Sequence, residues 1–170
     1  LVEQNLSTTS VNRKISALKS YYKFLLKVKQ IAVNPLLKHK SLKTAKKVQI
    51  PFSEKELQDV FSDNDYSNDF EGIRNRFVIE LFYTTGIRRA ELINLKLNSV
   101  NEIQKTIRVI GKRNKERIIP MLDCTLNLLK RYKEQRNHLE VIKDKEMLIL
   151  SKTGNKVSES FVYRLINDYF

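Results

Sequence analysis

The spacing of apolar residues along this chain changes period once and then changes back. Up to about residue 95 they recur every three or four positions, over residues 105–110 and 116–120 they alternate, and from residue 123 helical spacing returns. A period near 3.6 gathers side chains on one face of a helix, whereas a period of two gathers them on one face of a strand. Two alternating runs around a polar tip read as a hairpin. One hairpin set among helices predicts a mainly α fold with a small antiparallel β-sheet, that is, an α+β arrangement.

The helical segments carry their own boundary signals. A first helix is expected over residues 9–28, with Ser7, Thr8, Thr9 and Ser10 as N-cap choices and Val11, Ile15, Leu18, Tyr22 and Leu25 on its buried face. Ser53 can cap a second helix bearing Leu57, Val60 and Phe61, with Glu54 and Glu56 in its first turn. A longer helix starts near Asp69, turns Ile73, Phe77 and Leu81 inward with Val78 as a further choice, and stops at Gly86. Residues 87–95 read as a short helix. Residues 123–136 follow as another, with Leu126, Leu129 and either Tyr132 or Lys133 setting its faces. A short extended run over residues 147–150 and a turn at 152–156 lead to a last helix striped by Val162, Leu165, Ile166 and Tyr169.

Charge divides the chain more sharply than its total of +13 suggests. Residues 4–53 contain no Asp or Glu but eleven basic residues, so residues 1–53 carry a net +10 and residues 54–170 only +3. Arg13, Lys23 and Lys27 fall opposite the apolar face of the first helix, and Lys43, Lys46 and Lys47 lie in a lysine-rich stretch after Asn34-Pro35. Such a field favours a polyanion partner, and these six residues are candidate contacts to DNA phosphates. An ordinary amphipathic helix with solvated lysines fits the pattern of the first helix equally well. The lysine-rich stretch reads as a linker, giving an expected division into residues 1–47 and 48–170. With a mean hydropathy of -0.42 the chain has no run long and apolar enough to span a bilayer, and its single cysteine, Cys124, has no internal disulfide partner.

Two short motifs carry the chemistry. T-T-G-I-R-R-A-E-L at residues 84–92 puts Arg88 and Arg89 at the start of a helix, and R-V-I-G-K-R-N-K-E-R-I-I-P at residues 108–120 puts Lys112 on the hairpin tip. Cations in a first helical turn oppose the macrodipole by about 0.3–1 kcal/mol each, a penalty that a bound anion reverses. Arg88 and Glu91 are i, i+3 neighbours, and an isolated R-x-x-E is most simply a surface ion pair. Arg88 and Lys112 are nonetheless two cations able to meet on one phosphate.

The motifs together resemble the first half of the catalytic domain of the tyrosine recombinase (phage integrase) family, which reads T-G-(Ile/Leu/Met)-R-x-x-E-(Leu/Ile) and then G-K-x-x-K-E-R. Gly86, Ile87, Arg88, Glu91 and Leu92 match the first, and Gly111, Lys112, Lys115, Glu116, Arg117 and Pro120 the second. The resemblance implies that Arg88 is a catalytic arginine, Glu91 a supporting residue and Lys112 the catalytic hairpin lysine, with Lys115 and Arg117 counted among the DNA contacts. Arg89 stands at a variable position and receives no catalytic role. Arg113 stands where glycine is frequent, so a different tip geometry is expected. Residues 1–47 then resemble the C-terminal part of a helical core-binding domain plus its linker, and residues 48–170 the N-terminal part of the catalytic domain.

The implied activity is site-specific cleavage and rejoining of DNA. A tyrosine hydroxyl attacks a phosphodiester, leaving a 3'-phosphotyrosine and a free 5'-hydroxyl, and the reversal uses the energy kept in that bond, so neither a metal nor another cofactor is needed. The implied partners are double-stranded DNA and, in a full-length protein, three further protomers in a homo- or hetero-tetramer, in the bacterial cytoplasm with no membrane. The family pattern continues with H-x-x-R and a nucleophilic tyrosine. Neither His39 nor His138 opens an H-x-x-R, and no tyrosine here follows one, so the nucleophile is left unassigned and the chain is expected to be a fragment, inactive alone. The competing reading is a non-catalytic DNA-binding or assembly module derived from a recombinase. A helical RNA-binding protein explains the charge but not the paired motifs.

Overall fold

The computed structural model of the chain describes residues 6–45, 48, 50–62 and 66–169. It divides into two compact units, Leu1–Pro51 and Phe52–Phe170. Among the described residues no helix is long and apolar enough to cross a membrane.

In the first unit, helix α1 (Thr8–Lys27) starts where the Ser7 side chain accepts the Ser10 N–H. The chain then returns along one flank, where Asn12 exchanges two hydrogen bonds with the backbone of Leu42 and the Lys19 ammonium donates to the His39 carbonyl at 2.6 Å. Burial follows that flank. Val11 is buried and Ile15, Tyr22 and Leu26 are half-buried, but Leu18, expected inside, is 44% exposed. The apolar stripe is wider than the segment that covers it, and the cover lies on the Asn12 and Lys19 side. Arg13, Lys23, Lys27 and Lys43 are exposed, whereas Lys46 and Lys47 lie outside the described residues.

The second unit is built on two packed helices. Ser53 and Glu56 close a reciprocal capping box on α2 (Glu54–Phe61), and Asp69 caps α3 (Phe70–Thr85) by accepting the Gly72 N–H. Helix α3 buries Ile73, Phe77, Leu81 and Val78 as expected, and Ile79 besides, because neighbours surround it. Its main partner is α5 (Asp123–Asn137), where Phe77 and Tyr132 stack with ring centroids 5.4 Å apart. Tyr132 is the inward residue, and Lys133 pairs with Glu102 at 2.6 Å.

Between these helices come a short α4 (Arg89–Ile93) and the sheet, followed after α5 by α6 (Glu159–Tyr169), while residues 147–150, expected to be extended, make isolated bridges at Met147 and Leu150 rather than a strand. Strands β1 (Val100–Asn101), β2 (Thr106–Ile110) and β3 (Glu116–Pro120) pair antiparallel in that order, with Val109 opposite Arg117. The hairpin expected from alternation is present. Strand β1 is an addition to it, since two residues are too few to show a period. Ile107 and Val109 point into the core while Arg108 and Ile110 point out.

Tyr132 also fastens residues 147–150 to this core. Its hydroxyl donates to the Leu148 carbonyl and accepts the Leu150 N–H, both at 3.0 Å, in a fully buried position. Burial pushes the phenol up to about 12, so it stays a neutral donor across the physiological range. Tyr132→Phe keeps the ring but leaves a buried carbonyl and a buried N–H unpaired. It is expected to lower unfolding stability by about 2–4 kcal/mol at an unchanged denaturant m-value, measured by urea titration.

Candidate functional site

The site begins where α3 ends. Gly86 closes the helix in the left-handed region, with φ 58°, and its amide donates to the Phe82 carbonyl. A Cβ there would meet nothing within 4 Å, so backbone conformation rather than space calls for glycine. Ile87 is then buried, and its burial turns the next residue outward.

That residue is Arg88, which stands one position outside the helix rather than in its first turn. Its backbone is extended and it serves as the N-cap of α4, with Arg89 the first helical residue. The expectation of Arg88 in the first turn is corrected accordingly, and a five-residue helix offers little dipole in any case. Arginine has no acceptor to cap with, so one half of a capping box operates: the Glu91 carboxylate accepts the Arg88 N–H at 3.0 Å.

Glu91 is the centre of the cluster, with its side chain only 4% exposed. Besides the Arg88 amide, Glu91 Oε1 accepts from Arg88 Nη1 at 2.9 Å and from Arg117 Nη1 at 2.7 Å. Oε2 also accepts from Arg117 Nη2 at 2.8 Å. The fork from Arg117 is the largest influence on the carboxyl; against the upward push of burial, it and the Arg88 bonds hold the group down at about 2. A carboxylate so held is no general base near neutral pH. Its work is to fix two guanidinium groups.

The hairpin reaches this carboxylate through Gly111. A Cβ on Gly111 would lie 3.0 Å from Glu91 Oε1 and 3.6 Å from Arg117 Nη1, so the missing side chain is what lets the strand approach. The Gly111 amide donates to the Lys115 carbonyl at 2.8 Å and closes the tip. Within the tip Arg113 and Asn114 both take positive φ, 62° and 57°. A glycine at position 113 would adopt this without strain, and arginine there adopts the same turn at a cost of about 1 kcal/mol. Lys112, Arg113 and Lys115 are all exposed.

The two catalytic candidates are thus set around one anchor. Arg88 spends one side-chain nitrogen on Glu91 and keeps a side chain that is 71% exposed, and Lys112 follows directly on the glycine whose missing Cβ would crowd the same carboxylate. Arg89 pairs with Glu159 of α6 at 2.8 Å, an exposed ion pair. Arg117, expected among the DNA contacts, has its two terminal nitrogens bonded to Glu91 and a side chain 38% exposed. The sequence does contain a signal for this. In β3 residues 117 and 119 share the less exposed face, and an arginine at such a position asks for a partner. Among the described residues no three His, Cys, Asp or Glu side chains form a metal-ligand group.

The model of the Phage integrase family matches residues 52–170, and that of the Phage integrase, N-terminal SAM-like domain matches residues 1–29. Tyrosine recombinase XerC of Staphylococcus epidermidis is 33% identical over 168 residues, which covers 99% of this chain and 56% of the relative. Tyrosine recombinase XerD of Staphylococcus aureus is 34% identical over 167 residues, covering 98% and 56%. The chain therefore spans about half the length of the curated relatives it matches. Among solved structures, the Tn1549 transposon integrase in complex with circular intermediate DNA superposes with a TM-score of 0.70 over 98% of this chain and 60% of that one, and at 19% identity the likeness is one of fold.

The depressed Glu91 carboxyl makes a pH prediction. Because the folded value lies below the ordinary 4.5, its stabilisation is complete above 4.5 and is lost as pH falls toward about 2. The cap residues Glu56 and Asp69 are also lowered, so the informative quantity is a difference between variants. Between pH 4.5 and 2 the original chain should lose more stability than Glu91→Gln, and parallel thermal-denaturation curves for the two would contradict the assignment.

Proposed function

The chain belongs to the phage integrase family, and we propose that Arg88 and Lys112 are catalytic cations of a tyrosine recombinase, held in place by Glu91. In this reading residues 48–170 form the N-terminal part of a catalytic domain and residues 1–47 part of a core-binding domain with its linker. The observation that carries the proposal is the buried Glu91 carboxylate, which fixes Arg88 and leaves no room for a side chain on the glycine before Lys112.

The reaction follows from what each group can do. A tyrosine hydroxyl attacks the phosphorus of a DNA phosphodiester, the bond to the 5'-oxygen breaks, and a 3'-phosphotyrosine remains. Charge on the non-bridging oxygens is met by the outward nitrogens of Arg88, which need no change of protonation. The departing 5'-oxygen takes a proton, which in this reading the Lys112 ammonium donates. Resealing reverses both steps, and no cofactor takes part.

Duplex DNA is the partner this reading requires, and the exposed Arg13, Lys23, Lys27 and Lys43 supply cations for its backbone, as do Lys115 and Arg113 on the hairpin. The DNA complex of the Tn1549 integrase supports the same partner by likeness of fold. Assembly as a tetramer on DNA, in the bacterial cytoplasm, belongs to the same proposal.

The test separates the two cations. In a polypeptide carrying this chain together with an H-x-x-R segment and a nucleophilic tyrosine, Arg88→Ala should slow cleavage on the order of a thousandfold, about 4 kcal/mol of barrier. Lys112→Ala should also slow it, but for want of a proton on the leaving group. A 5'-bridging phosphorothioate substrate has a sulfur leaving group that departs without protonation, so it should rescue Lys112→Ala and leave Arg88→Ala impaired. Equal rescue of both, or of neither, assigns the acid elsewhere.

A further inference from the structure

We propose that Arg117 is a positioning residue: by filling both oxygens of Glu91 it keeps Arg88 from closing onto that carboxylate and so leaves Arg88 turned outward to hold a phosphate. This inference rests on the reading of Arg88 as a phosphate ligand.

The geometry is a matter of occupancy. A carboxylate offers about four acceptor directions, two on each oxygen. On Glu91, Oε1 takes Nη1 of Arg117 and Nη1 of Arg88, and Oε2 takes Nη2 of Arg117 and the backbone N–H of Arg88. All four are in use. An arginine next to a free carboxylate forms the two-pronged fork, its strongest arrangement, and Arg117 occupies on each oxygen a direction that such a fork from Arg88 would need. Arg88 consequently donates a single side-chain N–H to Glu91 and presents the remainder of its guanidinium to solvent.

Two features hold Arg117 in that role. Its backbone is fixed opposite Val109 in the hairpin register, and Gly111 leaves the space in which its guanidinium meets Glu91. Charge works in the same direction as shape. With Arg117 present the cluster of Arg88, Arg117 and Glu91 is net positive, and without it Arg88 and Glu91 cancel. A phosphate would then have to compete with a buried carboxylate for the same guanidinium. The arginine that carries no ligand is what keeps the ligand-bearing one available.

Arginine side-chain NMR on this chain, titrated with inorganic phosphate, tests the idea. The original chain should show a saturable shift of the Arg88 Nε–H. Arg117→Met should weaken that response about tenfold or more, and Arg117→Lys, which keeps the charge but not the fork, should fall between. A response unchanged in Arg117→Met overturns the positioning role alone. An original chain whose Arg88 ignores phosphate overturns the functional reading and this inference with it. Should the variants fail to fold, the unmutated chain still decides. Rotation about the Cζ–Nη bonds should be hindered in Arg117 and its terminal N–H groups slow to exchange, with Arg88 exchanging faster, and free rotation in Arg117 overturns the inference.

Discussion

The arrangement of this protein's second unit turns on one buried carboxylate. Taking Glu91 out of water is costly unless its charge is met, and the chain meets it with four hydrogen bonds from two arginines. Those bonds add a polar tie between elements that already share one apolar core, Ile87 and Leu92 on one side and Ile107 and Val109 on the other. Arg88 belongs to the turn between α3 and α4, Arg117 to the third strand, and the carboxylate between them ties the helical layer to the hairpin. Everything proposed about chemistry depends on that tie, because the carboxylate that holds Arg88 also lies where a side chain on Gly111, the residue before Lys112, would fall. Arg88 and Lys112 are both exposed, and in the proposed reading their charge is what meets a phosphate.

Such a cluster needs a firm base, and the base is the packing of α3 on α5. Phe77 and Tyr132 stack between them, and the Tyr132 hydroxyl and the buried Arg136 both fasten backbone carbonyls of the run that follows α5. Helix α3 thus ends at a fixed point, where Gly86 turns the chain and buried Ile87 aims Arg88 outward. Backbone, glycine and core together support the positions of the functional groups.

Local features of this fold are legible in the sequence, and the features that are not share a cause. The hairpin shows because strict alternation of apolar and polar residues suits a half-buried strand and little else. Ser53, Asp69 and Gly86 mark helix ends because capping is local chemistry. The features hidden from sequence depend on contacts between segments. Leu18 sits at a helically buried position, yet the covering chain lies along the opposite flank, and no periodicity records where a loop returns. Arg88 as a cap rather than a first-turn residue follows from its bond to Glu91. Arg117 matches a motif of basic residues and so reads as a contact to DNA, although strand parity turns it toward a partner 26 residues away. Arg113 stands where glycine is frequent, and its positive φ supplies the physical reason.

The central claim is that Arg88 and Lys112 act on one phosphate, and the structure of this chain bound to duplex DNA measures it directly. The account predicts a backbone phosphate within hydrogen-bond distance of both the outer nitrogens of Arg88 and Nζ of Lys112, with Arg117 still forked onto Glu91. Arg88 and Lys112 found on phosphates of separate steps, or a duplex that leaves Arg88 in solvent, would contradict it.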